Sequence, residues 1–225
     1  QIRWDAGCKQ HLRHERHFAV DRAAGRLRHP ARMRQCAVHR KVSGRGKTME
    51  LRNKTVVFLG DSITEGVGTS SPEKSYVSIF QKLSGAKVIN YGISGTRIAK
   101  NRSPSACPEW DQDFISRVDK MQRNADVIVV FGGTNDFGHG DSGIGDFESK
   151  SEYTFYGALH ILCSRLIEKY PYAEIVFVTP LHRISENNPI NEIGRKTPLL
   201  SKYVAAIQQV ASYYGFPVLD LFHTS

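Results

Sequence analysis

The run VVFLGDS carries Ser62 to the end of an apolar stretch, directly after Gly60 and Asp61. A serine so placed is either a turn residue whose hydroxyl bonds its own backbone, or a nucleophile at the carboxyl edge of a sheet. Two further stretches sit beyond apolar runs in the same way. ISGTR contains Gly95, and GTND contains Asn135. A glycine lets its N–H approach a ligand closely, and an asparagine amide adds a second donor. Hydroxyl, bare N–H and amide are the parts of an acyl-transfer site: a nucleophile and donors for the oxyanion. Taken singly, such a glycine is a turn residue and such an asparagine a helix cap. Taken together they favour the chemistry.

A serine hydroxyl at neutral pH needs a base, usually His, oriented by an acid. Asp220-Leu221-Phe222-His223 offers the residue types. However, Asp220 directly follows the apolar run Phe216–Leu219, and in a continued strand Asp220 and His223 would point to opposite faces. Among the other histidines, His139 follows Asn135 closely and is placed to line the pocket. His160 falls within a helical pattern and reads as structural. His182 lies beyond the fourth apolar run and reads as a shaper of the pocket. A second GDS, Gly140-Asp141-Ser142, has no strand leading into it, so Ser142 reads as a loop residue.

The elements that must carry these residues alternate between strand and helix. Short β-branched runs mark strands at Thr55–Leu59, Lys87–Tyr91, Val127–Phe131, Ile175–Thr179 and Pro217–Leu221. Between them, Tyr76, Ile79, Phe80 and Leu83 share one helical face. Phe114, Val118 and Met121 share another, and Phe155, Leu159, Leu162, Leu166 and Ile167 a third. Thr197-Pro198 reads as the N-cap and first residue of a last helix, continuing through Leu200, Tyr203, Val204, Ile207 and Val210. Five strands joined by helical crossovers predict an α/β fold of three layers: a five-stranded parallel sheet in flavodoxin-like order, helices on both faces. With no helical pattern after the fifth strand, one face of the sheet is expected to be partly bare.

Together, GDSIT after the first strand, ISGTR after the second and GTND after the third resemble the SGNH (GDSL) hydrolases over residues 51–225. The resemblance implies the SGNH hydrolase fold, with Ser62 as nucleophile and the Gly95 N–H and Asn135 side chain as oxyanion donors. The Ser62 N–H would be a further donor. It implies an esterase that forms an acyl-enzyme and needs no metal or other cofactor. The expected substrate is a small-molecule short-chain acyl ester, acetyl on carbohydrate among the options and lysophospholipid another. Relatives carry an Asp-x-x-His block on a loop past the fifth strand, followed by a closing helix. The expectation here is therefore a domain cut before its catalytic pair, truncated after strand five. The alternative is a non-catalytic, pocket-bearing binding module, or an inactive fragment of such an esterase.

Composition narrows the partners. The chain of 225 residues has a formal net charge of +9, but 13 of its Lys and Arg lie in residues 1–48 against 3 acidic residues. Residues 49–225 hold 18 against 19, so that region offers no electrostatic case for a specific nucleic-acid partner. Four cysteines without a CxxC pair do not make a disulfide scaffold, and a reduced, cytoplasmic setting is the default. No apolar run approaches the ~20 residues of a membrane span. Residues 1–48 lack an apolar period and read as a basic disordered arm. Cys8, His11, His14 and His17 within it do not form a structural-zinc pattern. Gly46-Lys47-Thr48 lacks both the first glycine and the leading strand of a phosphate loop. Met49 stands just before the first strand, and the arm is expected to be translated upstream sequence, leaving residues 49–225 as the hydrolase-type domain. Deleting residues 1–48 should shift the thermal midpoint by no more than a few degrees, because the arm has no apolar face to dock. Differential scanning calorimetry checks this.

Overall fold

The computed structural model describes residues 50–224. The basic arm, with its Cys8–His17 cluster and Gly46-Lys47-Thr48, lies outside the described residues. Val56, Val57, Phe58 and Leu59 are all buried because this run, β1 (Thr55–Gly60), is central in its sheet. Both faces of such a strand must be covered, so its apolar residues do not alternate with polar ones.

Four more strands join it: β2 (Lys87–Gly92), β3 (Val127–Phe131), β4 (Glu174–Val178) and β5 (Val218–Leu219). All pair in parallel, in the order β2-β1-β3-β4-β5. This is the flavodoxin-like order read from the sequence. The crossovers contain α1 (Ser62–Glu65), α2 (Tyr76–Ser84), α3 (Phe114–Val118), α4 (Thr134–His139), α5 (Phe155–Lys169) and α6 (Leu200–Tyr213).

The sheet divides the core in two. Val57, Leu59, Ile128, Val130, Ile175 and Phe177 face the larger part, where the buried stripes of α3, α5 and α6 cover them. Val56, Phe58 and Val127 face the smaller part with Val77 of α2. There Phe58 meets the rings of Tyr76 and Phe80 edge-on, at 5.7 and 5.2 Å between centroids. This second face is the thinner one: Val176 is half-buried and Leu219 is 53% exposed.

Several boundaries differ from the sequence reading, each for a local reason. α2 buries Val77 and leaves Ile79 and Leu83 exposed, because its contact with the sheet runs along Tyr76, Val77 and Phe80. α6 begins at Leu200, and Thr197 is not its cap. The Leu200 N–H donates instead to the Glu186 carbonyl at 3.0 Å, while the Thr197 hydroxyl meets that of Tyr203 at 3.0 Å. β5 is only two residues long rather than running through Leu221. Beyond Leu219 the ladder is replaced by side-chain bonds, for the Phe222 N–H donates to Thr179 Oγ1 at 3.0 Å.

The strand ends leave little room. A Cβ on Gly92, at the end of β2, would collide with the backbone of Thr64 and Glu65 in α1. Gly92→Ala should therefore displace the helix that begins at Ser62 and cost about 1–3 kcal/mol, as overpacking does. Urea denaturation of the two proteins measures it.

Candidate active site

Three loops at the carboxyl edge of the sheet converge because β2, β1 and β3 are adjacent. Ser62 opens α1, two residues past the end of β1, and is half-buried. Asp61 caps this short helix by accepting the Ile63 N–H at 3.0 Å. Asn90 donates to the Thr64 carbonyl at 2.7 Å, and the Ser94 N–H donates to the Glu65 carboxylate at 2.6 Å. The serine is thereby held against the β2 loop. Among the described residues, its Oγ has no hydrogen-bond partner.

Gly95 is buried in that loop with φ +73°, a left-handed conformation that a side chain would strain. Asn135 is the second residue of α4, whose N-cap Gly133 is also left-handed, at φ +107°. The Asn135 Nδ2 donates to the Thr96 carbonyl at 2.9 Å, leaving its second N–H free to serve a ligand. The neighbouring Asp136 accepts the Ile98 and Ala99 amides at 3.0 and 2.8 Å. Adjacent residues of α4 thus grip the β2 loop on either side of Arg97. Asn135 is thereby held at the loop that carries Gly95.

Arg117 of α3, which the sequence reading did not single out, ties the strand ends together. Its guanidinium donates to the Gly60 carbonyl at 3.1 Å, the Tyr91 carbonyl at 2.7 Å and Thr96 Oγ1 at 3.0 Å. Its planar face lies 4.5 Å from the Phe114 ring centroid. The signal was available: an arginine breaks the apolar stripe Phe114, Val118, Met121. Burial lowers its pKa to about 10, so it remains a cation at neutrality.

At the other end of the sheet, Asp220 and His223 come together. Because β5 ends at Leu219, both residues sit in the turn beyond the strand, and the opposite-face geometry of a continued strand does not arise. His223 Nδ1 meets Asp220 Oδ2 at 2.7 Å. Thr179 and Gln208 donate to the same carboxylate at 3.0 and 2.8 Å. Desolvation pushes the Asp220 carboxyl up, but the bonds from His223 and Thr179 outweigh it and leave it below the ordinary carboxylate range. An ionised acid thus fixes one imidazole nitrogen and leaves the other exposed.

The remaining sequence candidates are placed as follows. His139 Nδ1 bonds Arg97 Nη1 at 2.9 Å, and burial with the nearby Arg97 and Arg183 charges lowers its pKa to about 4. His160 lies in α5 and bonds the Phe147 carbonyl at 3.0 Å. His182 bonds Glu186 at 2.8 Å and lies over the Phe222 ring. Ser142 is in a loop, its hydroxyl donated to the Lys100 carbonyl. Among the described residues no group of three or more His, Cys, Asp or Glu is placed to hold a metal ion, and no helix is long and apolar enough to cross a membrane.

Comparison with known proteins accords with this geometry. The profile of the GDSL-like lipase/acylhydrolase family matches residues 58–225. The chain belongs to that family. It is accordingly classed with the carboxylic ester hydrolases of GDSL/SGNH type. A solved protein from Lactobacillus plantarum is 31% identical, with 76% of this chain and 78% of that one covered and a TM-score of 0.63. Another solved chain is 32% identical over 78% and 80%, with a TM-score of 0.65. A possible lipase from Chitinophaga pinensis is 26% identical over 76% and 68%, with a TM-score of 0.58. No curated protein gives a significant match.

One family residue carries an unusual proton. Burial, with repulsion from Asp136, pushes the Asp61 carboxyl up from 3.8 to about 7, against the Ile63 amide and Arg117, which pull it down. The folded state therefore binds this proton more tightly than the unfolded chain does. Its stabilising contribution is complete below about pH 4 and is lost as pH rises through about 7. Asp61→Asn keeps the capping oxygen and removes the titration. The variant's thermal midpoint should fall less than the wild type's between pH 4 and 7, as thermal melts across that range will show.

Proposed function

We propose that the site hydrolyses short-chain acyl esters, acetyl esters of carbohydrates among them, through an acyl-enzyme on Ser62. Ser62 Oγ attacks the acyl carbonyl carbon, and His223 Nε2 takes its proton while Asp220 steadies the imidazolium. The carbonyl oxygen becomes an oxyanion held by the N–H groups of Gly95 and Ser62 and by the Asn135 amide. As the C–O bond to the alcohol breaks, His223 returns the proton to the departing oxygen. Water then attacks the acyl-enzyme with the same base and donors, and releases the acid and free Ser62. The observation that supports this reading is the Asn135–Thr96 bond, which holds the Asn135 amide at the loop that carries Gly95. No hydrogen bond joins Ser62 to His223. β3 and β4 stand between the strands that precede them, so the proposed proton transfer requires the turn after β5 to move toward Ser62.

Turnover of p-nitrophenyl acetate tests the roles separately. Ser62→Ala should abolish it above background. His223→Ala should lower it about 10²–10⁴-fold, the usual worth of a general base. Asn135→Ala should lower kcat about 10²–10³-fold with little change in KM, since its second N–H acts mainly in the transition state. Ser142→Ala should leave the rate at the wild-type level. Full activity in His223→Ala would assign the base elsewhere, and equal inertness of wild type and Ser62→Ala would favour a non-catalytic binding module.

A further inference from the structure

One aromatic ring roofs the turn that presents Gly95. A Cβ built on this glycine would fall within the indole of Trp110, overlapping Cδ1, Cγ and Nε1. The pyrrole edge of the indole therefore rests on the backbone of a proposed oxyanion donor. Trp110 belongs to the one-turn 3-10 helix Pro108–Asp111 and is only half-buried, so part of the ring borders open space.

The ring is anchored from two directions. Its backbone carbonyl accepts Arg97 Nη2 at 3.0 Å, and the same guanidinium holds Asp111 and Ser105, each at 2.9 Å. Its face leans on His139, with centroids 5.2 Å apart, and His139 is itself bonded to Arg97. Arg97 is 2% exposed. Arg97 thus fixes the backbone from which the indole projects, and His139 borders the ring itself.

Sheet topology supplies a direction. Gly95 follows β2 at one edge of the sheet, and His223 follows β5 at the other. The departing alcohol receives its proton from the base, so it lies on the β5 side of the reacting carbon. The oxyanion faces the Gly95 N–H, and the acyl substituent, diverging from the departing alcohol, runs beside the Gly95 turn that the indole covers.

We propose that Trp110 is the wall of the acyl pocket and restricts the enzyme to short acyl groups. The inference rests on the Ser62 acyl-enzyme reading and adds the residue that sets chain length. Acetyl fits beside the indole, whereas each further methylene presses on the ring.

The test compares kcat/KM for p-nitrophenyl acetate, butyrate, hexanoate and octanoate in wild type, Trp110→Ala and Trp110→Phe, using the full chain. A second series holds the acetyl group constant and varies the alcohol. Wild-type rates should fall steeply beyond acetate. In Trp110→Ala the hexanoate-to-acetate ratio should rise by about tenfold or more, the usual worth of methylenes in a pocket. Trp110→Phe keeps a ring over Gly95 and should shift the ratio the same way by less, and it carries the test if the alanine variant does not fold. The order of preference in the alcohol series should not move. A change in the alcohol series alone would put the ring beside the leaving group and overturn the proposal. Unchanged ratios with Ser62-dependent turnover intact would reduce Trp110 to a structural role and sink this inference alone. A wild type without Ser62-dependent turnover would overturn the esterase reading and this inference with it.

Discussion

A buried cation organises the functional edge of this fold. The Arg117 guanidinium is shared between the last carbonyl of β1, a carbonyl near the end of β2 and a hydroxyl beside Gly95. Each of these groups is polar, buried or half-buried, and close to the point where its strand leaves the sheet. Bonds to a charged donor contribute about 1.5–3 kcal/mol each, roughly twice a neutral bond. The cost of burying the charge is offset by several acceptors, by the Phe114 ring and by the attraction of Asp61 and Asp113. Arg117 links the β1 and β2 loops, because it holds the Gly60 carbonyl two residues before Ser62 and the hydroxyl of Thr96, the residue after Gly95.

α4 completes the frame with two consecutive side chains. Asn135 donates to the Thr96 carbonyl, and Asp136 accepts the Ile98 and Ala99 amides of the same loop. Burial pushes the Asp136 carboxyl up to about 6, with the Ala99 and Ile98 amides pulling it back, so it is an anion at neutrality. Donor and acceptor together leave the β2 loop a single register. In the proposed mechanism this rigidity has a chemical use. Hydrogen-bond donors stabilise a developing oxyanion best when they need not reorganise as the charge forms. The bonds that pack the strand ends therefore also hold the loops that carry Ser62, Gly95 and Asn135.

The sequence alone determined the strand–helix alternation, the flavodoxin-like order and the coincidence of Ser62, Gly95 and Asn135 at one sheet edge. These follow from local periodicity and from the rule that parallel crossovers bring the loops after successive strands to one side. The buried stripes of α5 and α6 were legible for the same reason: both are long and cover one side of the sheet. α2 was misread at Ile79 and Leu83, since a helix on the thinner face meets the sheet along a narrower stripe than its apolar residues suggest. What only the tertiary structure decided depends on partners distant in the chain. β5 ends at Leu219 because Thr179, 41 residues before Asp220, takes up both the Asp220 carboxylate and the Phe222 amide. That early end turns Asp220 and His223 from residues of opposite faces into a bonded pair. Arg117 and Trp110 likewise gain their roles only when β2, the loop that follows it and α3 have closed on one another. A side chain's type can be read from the sequence, but the groups left unpaired around it exist only once the chain has folded.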